Sequence, residues 1–176
     1  LEEQDKKIIN QVTEQRKGVI AAFNKWDLIE KDSNTALKFE NQFYEEMKSH
    51  YYVPVTFISA LTKQRISKLI DLAKTINQNR SKRISTSKLN KVFLPILEKF
   101  PPPAVKGKDL RINYITQTGI EPPVFAFFSN HPKLLPDSYK RFLERQLREK
   151  FDFMGAPISF IFRRKNKNWE VLHQDN

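Results

Sequence analysis

The chain contains no cysteine, which excludes a disulfide framework and any thiolate metal site and suits a reducing cytoplasm. Glycine is nearly as scarce, with 4 in 176 residues. Gly18, Gly107, Gly119 and Gly155 are too far apart for a Gly-x-x-x-x-Gly-Lys-Ser/Thr phosphate loop or a Gly-x-x-Gly nucleotide clamp. Of the 3 histidines, His131 and His173 have no partners at metal-ligand spacing and read as loop residues. No apolar run approaches the roughly 20 residues that a membrane-crossing helix needs. No secretory leader is visible, and because the chain opens at Leu1 rather than Met, further chain is expected upstream.

What the chain has in abundance is phenylalanine (14) and positive charge, net +11. The charge is uneven. Residues 1–80 hold 13 Lys and Arg against 11 acids, and residues 81–176 hold 18 against 9. The second half therefore carries the signal for a polyanionic partner.

The most informative stretch is 19–27, where an apolar run of strand length empties into Asn24-Lys25-Trp26-Asp27. A carboxylate here can accept from both the ring N1–H and the exocyclic amine of guanine, a donor pair that adenine lacks. Lys25 can lay its methylene stem over the base, and the Asn24 amide can tie neighbouring loops. Alone, the tetrapeptide also fits a solvated loop. A second buried-strand run, 53–60, ends in Ser59-Ala60-Leu61, and a helical segment lies between the two. In GTPases a Ser-Ala turn in this place donates the Ala N–H to the guanine O6. Two such loops at the C-terminal ends of parallel strands lie where open α/β sheets bind ligands. Trp26 reads as packing beside the loop.

Periodicity supplies the remaining elements. A helix is predicted over 3–17 with Gly18 as its C-cap, and another after a cap at Ser33 or Asn34. A third carries Ile66, Leu69, Ile70, Ala73 and Ile76, with the polar tail 77–82 as a linker. From residue 81 a new unit begins, with a helix capped by Thr86 or Ser87 that contains Pro95 and stops at Pro101-Pro102-Pro103. Strands are predicted at 110–116 and 124–128, joined by a turn at 117–119 and pairing antiparallel. A helix follows Pro136, ended by Gly155, and a last strand spans 156–163. The order α-β-β-α-β implies helices layered on a three-stranded sheet, with the Phe-rich strands as core.

These features together resemble the Der (EngA) family. They are Asn24-Lys25-Trp26-Asp27, Ser59-Ala60-Leu61, the three-proline break, Phe125-Ala126-Phe127-Phe128-Ser129-Asn130, Ser138-Tyr139-Lys140-Arg141-Phe142-Leu143-Glu144 and Gly155-Ala156-Pro157-Ile158. The family comprises bacterial GTPases with two tandem G domains and a C-terminal KH-like domain. The resemblance implies an α/β chain in two parts. Residues 1–80 would be the C-terminal half of a P-loop-type (Ras-like) G domain lacking its first half, and 81–176 an α+β KH-like domain. It implies GTP or GDP held at Asn24, Lys25, Asp27, Ser59, Ala60 and Leu61, with Mg²⁺ only when the upstream half is present. It further implies a cytoplasmic role in maturation of the large ribosomal subunit, with ribosomal RNA and upstream G domains of the same protein as partners and no membrane.

The departures limit this. Without phosphate loop and switches the chain is not expected to hydrolyse GTP alone, and without Gly-x-x-Gly any RNA contact must use surface charge. Candidates are Arg141, Arg145 and Arg148 at i, i+4, i+7, and Arg163-Arg164-Lys165 at a strand end. A solvated helix face beside Glu144 and Glu149 accounts equally for the first set, and a protected sheet edge for the second. A non-enzymatic RNA-binding or protein-docking module with a vestigial G half is the alternative reading.

Overall fold

Val19 was expected to open a strand, but its N–H donates to the Gly155 carbonyl at 3.1 Å, from a segment more than a hundred residues on. The computed structural model, which describes residues 1–164, shows why. It falls into two units, one of Leu1–Lys82 with Phe153–Pro157, the other of Arg83–Asp152 with the chain from Ile158.

In the first unit, helix α1 (Glu3–Glu14) precedes strand β1 (Ala21–Phe23), helix α2 (Thr35–Glu46), strand β2 (Val55–Phe57) and helix α3 (Ile66–Ser81). β1 and β2 pair in parallel, Phe23 opposite Phe57. Phe43, Met47 and Val53 form the buried centre, with Ile9, Val19, Ala21 and Phe23 packed against it. α1 ends before the predicted Gly18 cap because Arg16 takes the left-handed backbone, φ 57°. Gly18 serves close approach instead, since a Cβ there would lie 2.7 Å from the Ile76 Cγ2. The tail expected as a linker is helical to Ser81. Its Asn79 is buried and donates through Nδ2 to the Met154 carbonyl at 3.1 Å. A polar residue on the inner face reads as linker by composition, yet its amide is satisfied by backbone.

The second unit runs helix α4 (Thr86–Lys99), strand β3 (Ile112–Gly119), strand β4 (Val124–Ser129), helix α5 (Asp137–Phe151) and strand β5 (Ser159–Arg163), the order expected. β4 is central, antiparallel to β3 and parallel to β5. Leu89, Phe93 and Leu97 of α4, Leu143 and Leu147 of α5, and Ile115, Phe125 and Phe127 of the sheet are all buried, and Phe93 meets Phe127 edge-on at 6.1 Å. Phe93 stacks on Phe151 with centroids 6.4 Å apart. The α4 cap is Ser85, whose Oγ accepts the Lys88 N–H at 3.3 Å. Thr86 instead meets the Thr116 hydroxyl at 2.8 Å. The turn falls later than expected because the strand continues to Gly119. Tyr139 donates to the Phe100 carbonyl at 2.7 Å, and burial pushes its phenol up to about 12.

Gly155 combines φ 69° with a position where a Cβ would fall 2.5 Å from the Ile76 Cγ1. We predict that Gly155→Ala destabilises the chain by about 2–4 kcal/mol, from left-handed strain plus overpacking. Urea unfolding checks this, and an unchanged midpoint contradicts the stated packing.

Candidate functional site

The ends of β1 and β2 present both predicted loops side by side. The Ile58 N–H donates to the Phe23 carbonyl at 2.8 Å, and the Trp26 N–H to the Ile58 carbonyl at 3.0 Å. These bonds carry the pairing beyond the strands into 24–27 and 58–61. Across the gap, the Asn24 Oδ1 accepts the Ala60 N–H at 3.1 Å, so this amide joins the two loops. The Ala60 N–H is thus held by Asn24, and a base oxygen would share it.

Trp26 is buried at 4% exposure. Its ring lies 4.3 Å from that of Phe57 on β2 and meets Phe39 of α2 edge-on at 5.6 Å. It packs and offers no stacking platform. Flanking it, Lys25 is exposed on left-handed backbone, φ 60°, and Asp27 is half-buried in a single 3₁₀ turn, Trp26–Leu28. The Asp27 Oδ1 is buried and accepts no hydrogen bond. An orphaned carboxylate oxygen in a folded protein calls for an explanation, because desolvating it without a partner is unfavourable.

The second loop closes on itself. Ser59 is fully buried, its N–H donating to the Gln64 carbonyl at 3.2 Å and its Oγ accepting the Thr62 N–H at 3.1 Å. Ala60 is exposed, and Leu61 is 85% exposed. Lys63 and Arg65 adopt left-handed backbone at φ 61° and 59°. With Lys25, that gives three strained non-glycine residues around one pair of loops, the distribution typical of ligand sites. The donor set fits guanine: an acceptor carboxylate in place and a lysine beside it. Among the described residues no group of three or more His, Cys, Asp or Glu could hold a metal ion.

Asp32 was not foreseen. Its Oδ1 accepts from the Asn34 N–H at 2.8 Å and the Thr35 hydroxyl at 2.7 Å, and its Oδ2 lies 3.2 Å from the Lys38 Nζ. It therefore starts α2, and Asn34, at the cap position, makes no side-chain cap. An Asp three residues before Thr35 was the available signal.

Of the basic candidates, Arg141 and Arg145 are exposed on α5. Arg148 departs from the expected stripe. It is 9% exposed, and its Nε and Nη2 both reach the Glu144 Oε1 at 3.0 Å. The seven-residue spacing carried it round towards Leu147 and Phe151, where only a paired charge is tolerated. Arg163 and Arg164 are exposed at the end of β5, and Arg164 donates through Nε to the Asn130 carbonyl at 3.3 Å. Lys165 and His173 lie outside the described residues.

Residues 83–163 match the family described as "KH-domain-like of EngA bacterial GTPase enzymes, C-terminal". The second unit, from Arg83 to Arg163, is the part of the chain that is similar to this KH-like family. Over 165 residues, 94% of its length, the chain is 50% identical to the GTPase Der of Chloroherpeton thalassium. It is 48% identical to that of Chlorobium phaeobacteroides and 43% to that of Amoebophilus asiaticus over the same length. It is homologous to the C-terminal part of the GTPase Der and spans 38% of the length of these relatives.

The cap of α2 can be tested by titration. Hydrogen bonds from the Thr35 hydroxyl and the Asn34 N–H, then the Lys38 pair, hold the Asp32 carboxyl at about 2, below its ordinary 3.8. A depressed folded value stabilises above the unfolded one. The contribution is complete above about pH 4 and is lost as pH falls through about 2. Carbon-detected NMR should place Asp32 at about 2 and show it raised in Thr35→Ala with Lys38→Ala, though still below the ordinary value because the Asn34 N–H bond remains. An ordinary value in the unsubstituted chain contradicts the cap.

Proposed function

We propose that the chain is the guanine-reading and RNA-contacting part of a GTP-binding protein that acts in cytoplasmic assembly of the large ribosomal subunit. The observation that carries the guanine reading is the buried, unpartnered Asp27 Oδ1 beside the Asn24–Ala60 hydrogen bond at the ends of parallel strands. Asp27 accepts from the base N1–H and amine, Lys25 covers its face, and Asn24 sets the gap between loops. Ser59 shapes the turn, and Ala60 and Leu61 form its exposed rim. Residues 1–80, which carry this pair of loops, are the C-terminal half of a Ras-like G domain. Phosphate binding, Mg²⁺ and hydrolysis belong to residues outside this sequence, in keeping with the missing phosphate loop.

The second unit contacts ribosomal RNA through exposed cations, with Arg141, Arg145, Arg163 and Arg164 as candidates. Its match to the EngA KH-like module and the excess of 18 basic over 9 acidic residues in 81–176 support this. Upstream G domains of the same protein are the further partner.

With a phosphate-binding half joined upstream, Asp27→Asn should weaken guanine nucleotide by roughly 2–4 kcal/mol and gain xanthosine triphosphate, because the amide donates where the carboxylate accepted. Isothermal titration with both nucleotides checks this, and unchanged guanine affinity removes Asp27 from the site. The 176-residue chain alone should release no phosphate from GTP above a buffer control. Turnover there would require a phosphate site of a different kind.

A further inference from the structure

We infer that the RNA-contacting surface of the second unit is the end of its sheet built around Asn130, and that its ligand is the phosphate backbone of an RNA strand. The inference rests on the RNA reading above. β4 and β5 run parallel and finish on one side of the sheet, and β3, antiparallel to β4, begins there. The register sets Ile112 opposite Ser129 and Phe128 opposite Arg163. Arg111, Asn130 and Arg164 are therefore close neighbours on three adjacent chain segments, with strands about 5 Å apart.

Asn130 binds these segments into one piece. Its Oδ1 accepts the Arg111 N–H at 2.9 Å, and its own N–H donates to the Arg111 carbonyl at 3.2 Å. Its Nδ2 donates to the Asp109 carbonyl at 2.8 Å, and its carbonyl accepts from the Arg164 Nε at 3.3 Å. Lys133 follows three positions on, exposed in the turn Pro132–Leu134.

Arg111, Lys133, Arg163 and Arg164 are all exposed, and among the described residues none of them forms an ion pair. On α5 two cations are taken, Lys140 by Asp137 and Arg148 by Glu144. The α5 stripe is thereby reduced to Arg141 and Arg145. Asp109 uses its carbonyl, not its carboxylate, at Asn130. Three of the four cations at the sheet end are guanidiniums, whose planar fork matches phosphate oxygens. Spread across about two strand spacings, they suit consecutive phosphates of one strand.

The test titrates the 176-residue chain against labelled oligouridylate and deproteinised large-subunit ribosomal RNA over a salt series, with circular dichroism as the folding control. Arg111→Gln, Lys133→Gln and Arg164→Gln together should weaken binding by roughly ten- to a hundredfold and flatten the salt slope by about 2, near 0.7 per phosphate lost. Each single substitution should flatten it by about 0.7, so a misfolded triple variant does not decide the outcome. Asn130→Ala removes no charge. It should weaken binding by about threefold with the slope kept, as expected of a positioning residue. Arg141→Gln with Arg145→Gln tests the rival surface. Loss there with affinity retained in the sheet-end variants overturns this inference and leaves the RNA reading standing. An unsubstituted chain that binds neither RNA refutes the RNA reading itself. Competition by polyglutamate or phosphatidylglycerol vesicles as effective as that by RNA of equal charge overturns the ligand class.

Discussion

Four asparagine side chains hold this protein's backbone together where elements distant in sequence meet. Asn24 joins the loop after β1 to that after β2, and Asn79 reaches Met154. Asn90 accepts from the Ile115 N–H at 3.0 Å and donates to its carbonyl at 2.8 Å. Asn130 ties 109–111 to the end of β4. A primary amide has an acceptor and two donors in one plane, so it can pair with a peptide unit much as another strand would. Each such bond contributes about 1 kcal/mol net, but removing one partner inside the fold costs about 1–3 kcal/mol. Specification is thus a larger effect here than added stability. In a chain with no disulfide and 4 glycines, these amides set which loops lie together.

That constraint reaches the candidate guanine site through packing. Asn24 sets the gap between the loops, and the aromatic group behind them sets their tilt. Phe23 lies 5.4 Å from Phe57, and Trp26 is wedged between Phe57 and Phe39. The ring that follows Lys25 is anchored in the core while Lys25 itself is forced into left-handed backbone. Asp27, the next residue, is then held where its inner oxygen has no partner. The strain and the desolvated oxygen share one origin, a buried Trp set between an exposed lysine and a half-buried carboxylate.

Much of this could be read from the residues, and the exceptions have physical reasons. The strand pair at 110–116 and 124–128 was legible from two apolar runs around a turn, but the alternation at 110–116 breaks phase at the irregularity between Ile112 and Tyr114, after which Ile115 and Gln117 are the buried residues. The two loop motifs were legible because a buried strand run precedes each. Asn79 was missed because polar composition implies solvent unless the partner is known, and that partner is 75 residues away. Arg148 was misplaced for a related reason. Spacing of i, i+4, i+7 defines a stripe wide enough to straddle the boundary between buried and exposed, and only the neighbours Leu147 and Phe151 decide the side. Caps shifted by one or two residues, as at Ser85 and Asp32, since several Ser, Thr, Asp and Asn stand together at each helix start and geometry selects among them.

Arg148 also shows why net charge alone does not define a binding face. The second half has an excess of cations, but a cation turned inward to Glu144 contributes little field at the surface and nothing to phosphate contact. A guanidinium held to the sheet end by Nε alone, as in Arg164, keeps its terminal nitrogens for an external anion. The difference between the two arises from the partner's identity: a carboxylate neutralises the arginine, whereas the neutral Asn130 carbonyl orients it. Electrostatic partners are therefore met where neutral backbone groups, not acids, hold the cations in place. In the second unit that condition is fulfilled where β3 begins and β4 and β5 end.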